Sequence, residues 1–66
     1  MKLHELIANA RRQSGFSLRE LEAETGISNP LLSQIETGHI KEPSFRKIIK
    51  IGMALKIPLK KMAEAQ

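Results

Sequence analysis

Three glycines divide the first 40 residues of this chain into short helical segments, and this division most limits the folds open to it. Each glycine follows a run with apolar residues at helical spacing, where a left-handed residue can end a helix without steric cost. Ser17 and Glu20 then form the S-x-x-E pattern of a capping box, while Ser28 and Pro30 suit a further helix start. The sequence therefore predicts helices over about residues 2–13, 17–26 and 29–37, ended by Gly15, Gly26 and Gly38.

Two more helices are predicted in the second half. Ser44 caps a fourth helix, which ends before Pro58, and a short fifth helix over about residues 59–63 is predicted to bury Leu59 and Met62. The predicted core face of the fourth helix consists of Phe45, Ile48, Ile51, Gly52 and Leu55.

The means of stabilising such a chain are few. It has 66 residues and no cysteine, and its two histidines, His4 and His39, lie far apart in the sequence. Disulfides are therefore excluded, and neither a metal nor a cofactor is expected. Helix packing remains, so we expect residues 1–66 to form one all-α domain.

Several classes of function are disfavoured by what the sequence lacks. It has no Ser/His/Asp or Cys/His set, no phosphate-binding glycine loop and no plausible pair of catalytic carboxylates, so we expect no enzyme. No apolar run approaches the roughly 20 residues that span a bilayer, and no signal peptide is evident. A cytoplasmic protein without a membrane partner is expected.

The charge of the chain favours a polyanionic partner. The net charge is +4 at pH 7, with a pI of about 9.9. Residues 1–40 contain four basic and five acidic side chains, whereas residues 41–66 contain seven basic and two acidic ones. The positive charge is thus concentrated in the second half.

The second and third predicted helices have the arrangement of a DNA-binding pair. An inner seam between them is predicted to consist of Leu21, Ile27, Leu32 and Ile35. The face turned away from this seam is short and polar, as a helix in the major groove requires, and it comprises Ser28, Asn29, Pro30, Ser33 and Gln34. The amides of Asn29 and Gln34 are suited to pair with adenine.

The order of these residues resembles the Cro/C1-type repressor domain, also called the xenobiotic-response-element family. The resemblance rests on the runs Gly15-Phe16-Ser17-Leu18-Arg19-Glu20-Leu21, Thr25-Gly26-Ile27-Ser28, Leu32-Ser33-Gln34-Ile35-Glu36-Thr37-Gly38 and Pro43-Ser44. It implies a compact five-helix, lambda-repressor-like bundle with a helix-turn-helix at about residues 17–37. It also implies a sequence-specific regulator of transcription, a repressor, that reads double-stranded DNA through Asn29, Pro30, Ser33 and Gln34.

The resemblance further implies contacts outside base readout. Backbone phosphates would be contacted from Ser17, Leu18, Ser28, Thr37, Lys41 and Arg11, and Arg11 would form an ion pair with Glu36. The family usually has glutamine at Leu18 and favours glycine at Lys56. A weak homodimer on a two-fold symmetric operator is implied, with Ile57, Pro58, Leu59, Met62, Ile49 and Met53 as interface candidates.

A second function is left open by the same residues. The chain has the features of an antitoxin-like or other protein-interaction module that binds its promoter only secondarily. Ile49 and Met53, four residues apart, are then candidates for a partner surface, although such a pair more often packs at the edge of the core against the last helix.

Overall fold

The computed structural model describes residues 1–40 and 42–65. These residues form a five-helix all-α bundle, as predicted. The helices are α1 (Leu3–Ser14), α2 (Leu18–Thr25), α3 (Asn29–Thr37), α4 (Phe45–Leu55) and α5 (Leu59–Glu64).

The helix boundaries follow the predicted caps. The Ser17 hydroxyl accepts the Glu20 N–H at 3.0 Å, and the Glu20 carboxylate accepts the Ser17 N–H at 2.9 Å. The three predicted C-terminal glycines all lie in the left-handed region. Ser28 occupies the N-cap position of α3, but its side chain makes no capping hydrogen bond, so the predicted side-chain cap is wrong there.

The core lies where the first four helices meet. α1 and α2 both pack against α3 and α4, and α5 packs against α4. The most completely buried side chains come from four different helices and are Ile7, Leu21, Leu32, Ile35 and Ile51. The hydrophobic effect at this junction therefore fixes α3 relative to the rest of the domain.

The last helix is held by a close approach to α4. A Cβ built on Gly52 would lie only 2.4 Å from the Met62 sulfur, so the absence of a side chain at Gly52 makes room for Met62. Met62 is buried as predicted, but Leu59 is 59% exposed and Phe45 is 74% exposed. The predicted burial of those two residues is wrong, because each begins its helix at a position that the neighbouring helices leave uncovered.

The turn between α4 and α5 contains a strained residue. Lys56 has φ of 57° and is the one non-glycine residue with positive φ among residues 1–40 and 42–65. In the same described ranges, no helix is long and apolar enough to cross a bilayer.

Candidate nucleic-acid interface

The turn between α2 and α3 sets the angle of the two helices. Gly26 adopts φ of 75°, and its N–H donates to the Glu22 carbonyl at 2.8 Å. Thr25 is buried, and its hydroxyl donates to the Leu21 carbonyl at 2.8 Å while accepting the Ile27 N–H at 3.2 Å. This role of Thr25 was not predicted from the sequence. The position of Thr25 directly before the helix-ending Gly26 was the signal that could have indicated it.

The apolar seam predicted between α2 and α3 is present. Leu21, Ile27, Leu32 and Ile35 are all buried, with at most 5% of any of them exposed. Burial of these four side chains fastens one side of α3 to the domain, so its opposite side faces solvent.

That opposite side brings the predicted base-reading residues together. On a helical wheel, the positions opposite Leu32 and Ile35 are those of Pro30, Ser33, Gln34 and Thr37, and Asn29 lies at the edge of this side. Pro30, Gln34 and Thr37 are exposed, while Asn29 and Ser33 are partly exposed. The outward face of α3 is therefore uncharged, polar and about two turns long, which suits hydrogen bonding to base edges.

The C-terminal end of this face is ordered by side-chain hydrogen bonds. The Thr37 hydroxyl donates to the Gln34 carbonyl at 3.2 Å and lies 2.8 Å from Nδ1 of His39. Because a hydroxyl carries one proton, both hydrogen bonds exist together only when His39 Nδ1 donates to Thr37. Thr37 must give up its bond to the carbonyl before it can donate to a phosphate.

The N-terminal end of α2 offers a restricted phosphate site. The Ser17 N–H is already bonded to Glu20, and this backbone hydrogen bond lowers the pKa of Glu20 below its ordinary value. A phosphate at this helix end would therefore meet the Leu18 amide and the Ser17 hydroxyl proton, next to a carboxylate. Ser28 is exposed, and its hydroxyl is not used by a helix cap.

Arg11 joins α1 to the end of α3. Its Nη2 donates to the Glu36 carboxylate at 3.0 Å, its Nε donates to the other carboxylate oxygen, and its Nη1 donates to the Phe16 carbonyl at 2.8 Å. The hydrogen bond to Glu36 raises the pKa of Arg11. The side chains are 16% and 8% exposed, so the expected ion pair is present and largely shielded. Three of the five N–H groups of Arg11 are therefore bonded within the fold, and two are left for a phosphate.

The remaining predicted site residues are spread over the other side of the domain. Met53 is 75% exposed, and Pro58 and Leu59 are also exposed, whereas Ile49 and Ile57 are partly buried. Met62 is buried beneath α4, so its side chain supports that surface from inside. Lys41, the predicted loop phosphate contact, lies outside the described residues.

Comparison with known proteins agrees with this geometry. A family model described as helix-turn-helix matches residues 7–62. The HTH-type transcriptional regulator SlrR of Bacillus subtilis is 32% identical over 56 residues, which are 85% of this chain and 37% of that protein. The uncharacterized HTH-type transcriptional regulator Rv0474 of Mycobacterium tuberculosis is 37% identical over 51 residues, or 77% of this chain and 36% of that protein.

These matches cover only part of each relative. The chain spans little more than a third of each named relative. No solved structure matches the chain at a comparable level of significance.

Proposed function

Because the chain belongs to the Cro/C1-type helix-turn-helix family, we propose that it binds double-stranded DNA by sequence and represses transcription where it binds. Neither the family nor the names of the matched relatives are those of an enzyme, in agreement with the expectation of no enzymatic activity. The protein would act in the bacterial cytoplasm, where DNA is accessible.

The observation that carries the proposal is the outward face of α3. Leu32 and Ile35 fasten the helix to the core, while its exposed side holds Pro30 and polar side chains but no charged one. Long-range attraction to phosphates comes from lysines and arginines, whereas uncharged amides and hydroxyls hydrogen-bond at short range, to base edges as well as to phosphates. The face therefore favours base reading over nonspecific attraction.

Each residue on this face has a proposed role. Gln34 and Asn29 pair with adenine through their amides, Ser33 bonds to a base edge, and Pro30 packs against a thymine methyl group. Gln34 is the best placed, since it is exposed and lies one turn beyond Pro30 on the same side.

Phosphate contacts are proposed around the edge of this face. Ser28 is the clearest of them in the described residues, because its hydroxyl is exposed and not used by a helix cap. Thr37 and the Ser17–Leu18 helix start contribute under the restrictions given above, and Arg11 has N–H groups left beyond those bonded to Glu36 and Phe16. Lys41 is proposed on the sequence alone.

We also propose that two copies bind a two-fold symmetric site. One recognition helix reads a few base pairs, which cannot single out one site among roughly 10⁶ or more competitors in a genome. The turn between α4 and α5 supplies the contact, through exposed Met53 and Pro58 and partly buried Ile57, with Leu59 at its border. So small an apolar surface supports a weak dimer completed on DNA.

The test of DNA binding is a salt titration with a labelled random-sequence duplex, followed by fluorescence anisotropy. The logarithm of the affinity should fall linearly with the logarithm of the salt concentration, because bound phosphates release counterions. Gln34→Glu should abolish binding by placing a carboxylate on the outward face, whereas Gln13→Glu, the same change at an exposed position on α1, should weaken it only slightly. Absence of binding at low salt, or equal losses in the two variants, would contradict the proposal.

A protein-interaction module that binds its promoter only secondarily is the second candidate. Phe45 and Leu59 favour it, since they are exposed and line one groove, and large apolar groups exposed close together often mark a partner surface; Met53 is exposed as well. A chain that fails the salt titration but forms a complex through these residues would have this function.

A further inference from the structure

One side of the domain carries an apolar groove that the fold leaves unpartnered. The groove has a volume of about 320 Å³, and Phe45, Ile49 and Leu59 stand along it above a floor of Ile48 and Met62. Phe45 is 74% exposed and Leu59 is 59% exposed. This exposure is costly in water, which indicates a surface that becomes covered.

The groove is separate from the proposed reading face. It is formed by α4, α5 and the start of α1, whereas α3 packs against α1 and α2 through Leu32 and Ile35. None of its lining residues belongs to the outward face of α3. A duplex bound along α3 therefore gives no account of this groove.

Positive charge borders the groove in a regular way. Each of the three apolar residues is followed directly by an exposed cation, in the pairs Phe45-Arg46, Ile49-Lys50 and Leu59-Lys60. Successive residues lie about 100° apart around a helix, so these cations flank the apolar stripes of α4 and α5. The acids at its border are Glu64, one turn after Lys60 on α5, and Glu42, next to the lining residue Pro43. Cations thus outnumber acids along the border.

We propose that this groove binds an amphipathic helix of a partner protein whose apolar stripe is flanked by acidic residues. Apolar anchors would fill the space above Ile48 and Met62, while carboxylates would face Arg46, Lys50 and Lys60. A second copy docked face to face would instead bring these cations against their own images. Nucleic acid would match the charge but would leave the apolar side chains uncovered.

The size of the domain sets the length of the probe. The domain measures 27 × 22 × 19 Å, and a helix of about 14 residues is roughly 21 Å long, enough to cross it. A library of such peptides, with apolar residues fixed at helical spacing and either Glu or Lys at each flanking position, samples both charge patterns on one apolar stripe.

The experiment is selection of this library on the immobilised chain, followed by affinity measurement of the enriched peptides. Glu should be enriched at the flanking positions, and the affinity should fall with salt. Phe45→Ser, Leu59→Ser and Lys60→Glu should each weaken binding about tenfold or more. Met1→Ser and Arg12→Glu are matched controls at exposed positions on or beside α1, and they should leave the affinity unchanged.

Several results would overturn this assignment. They are enrichment of Lys, no enrichment, self-association that Phe45→Ser removes, and capture by phosphatidylglycerol vesicles that depends on Phe45. Circular dichroism melting checks that each variant is folded. Duplex binding by Phe45→Ser is measured separately and should be unchanged, so loss of the groove is distinguishable from failure of DNA binding.

Discussion

Some side chains of α3 are buried against the core and others are exposed on the outward face, where base reading is proposed. Leu32 and Ile35 are almost wholly buried, and Gln34 between them is exposed. A helix of nine residues in isolation is marginal in water, so its geometry depends on those two buried residues. The reading role proposed for Gln34 thus relies on one buried residue two positions before it and another directly after it.

Replacement of Gln34 tests that role. Gln34→Ala should cost about 1–3 kcal/mol on the preferred duplex and relax the preference at one base pair, because a bidentate amide contact is lost. Binding to unrelated duplexes should change little, and Gln13→Ala should change neither affinity. The measurement is competitive anisotropy with single-base-pair variants of the duplex. An equal loss on preferred and unrelated duplexes would remove Gln34 from the reading residues.

The ion pair between Arg11 and Glu36 should behave as a unit. Arg11→Met or Glu36→Met alone should lower the free energy of unfolding by about 1–3 kcal/mol, since each leaves a shielded charge without its partner. The double variant should lose less than the two single losses combined. Urea unfolding followed by circular dichroism measures all three. Additive losses would show that the two side chains contribute independently.

At the scale of helices, the caps and the packing between helices determine what could be predicted from sequence. The Ser17–Glu20 capping box and Gly26 are local patterns, and they placed α2 to within a residue of its observed bounds. Burial of Phe45 and Leu59 depends on which other helix covers them. A wheel diagram carries no such information, and both predictions were wrong. The Arg11–Glu36 pair, 25 residues apart, came from family resemblance rather than from a local pattern.

The capping box predicts an acid-sensitive contribution to stability. The hydrogen bond from Ser17 lowers the pKa of Glu20 below its ordinary value of 4.5, so the folded state binds that proton less readily than the unfolded state. This contribution is therefore complete above the ordinary pKa and is lost as the pH falls through the lowered value. Glu20→Gln should reduce the dependence of unfolding free energy on pH below about 4.5 relative to the unaltered chain. An acid profile identical to that of the unaltered chain would exclude this role of the capping box.

The contact of α5 with α4 should be sensitive to one methyl group. Gly52→Ala should destabilise the domain by about 1–3 kcal/mol, because its Cβ would displace the Met62 sulfur. In the Gly52→Ala variant, the further change Met62→Ala should lower the free energy of unfolding less than a core truncation ordinarily does. The new methyl group at position 52 occupies part of the space that Met62 vacates. Urea unfolding of both single variants and the double variant measures this coupling. A harmless Gly52→Ala would show that Met62 does not fasten α5.

The molecule as a whole presents two differently charged sides. The outward face of α3 is polar and uncharged, while exposed cations are concentrated on α4 and α5. Net charge alone therefore did not locate the proposed reading face, although it indicated a polyanionic partner. The apolar periodicity of α2 and α3 located that face, because it determines which side of α3 is buried.

Sequence reading by α3 and two-fold binding are both tested by selecting bound duplexes from a random library and counting the chains on each selected duplex. We expect enrichment of a motif with two-fold symmetry, saturation at two chains per duplex, and half-site centres roughly 34 Å apart, one helical turn of DNA. The enriched duplexes should exceed unrelated ones in affinity at every salt concentration. A bound pool as random as the starting library would contradict sequence reading by α3, and an enriched motif without a dyad, saturated by one chain, would contradict the two-fold arrangement.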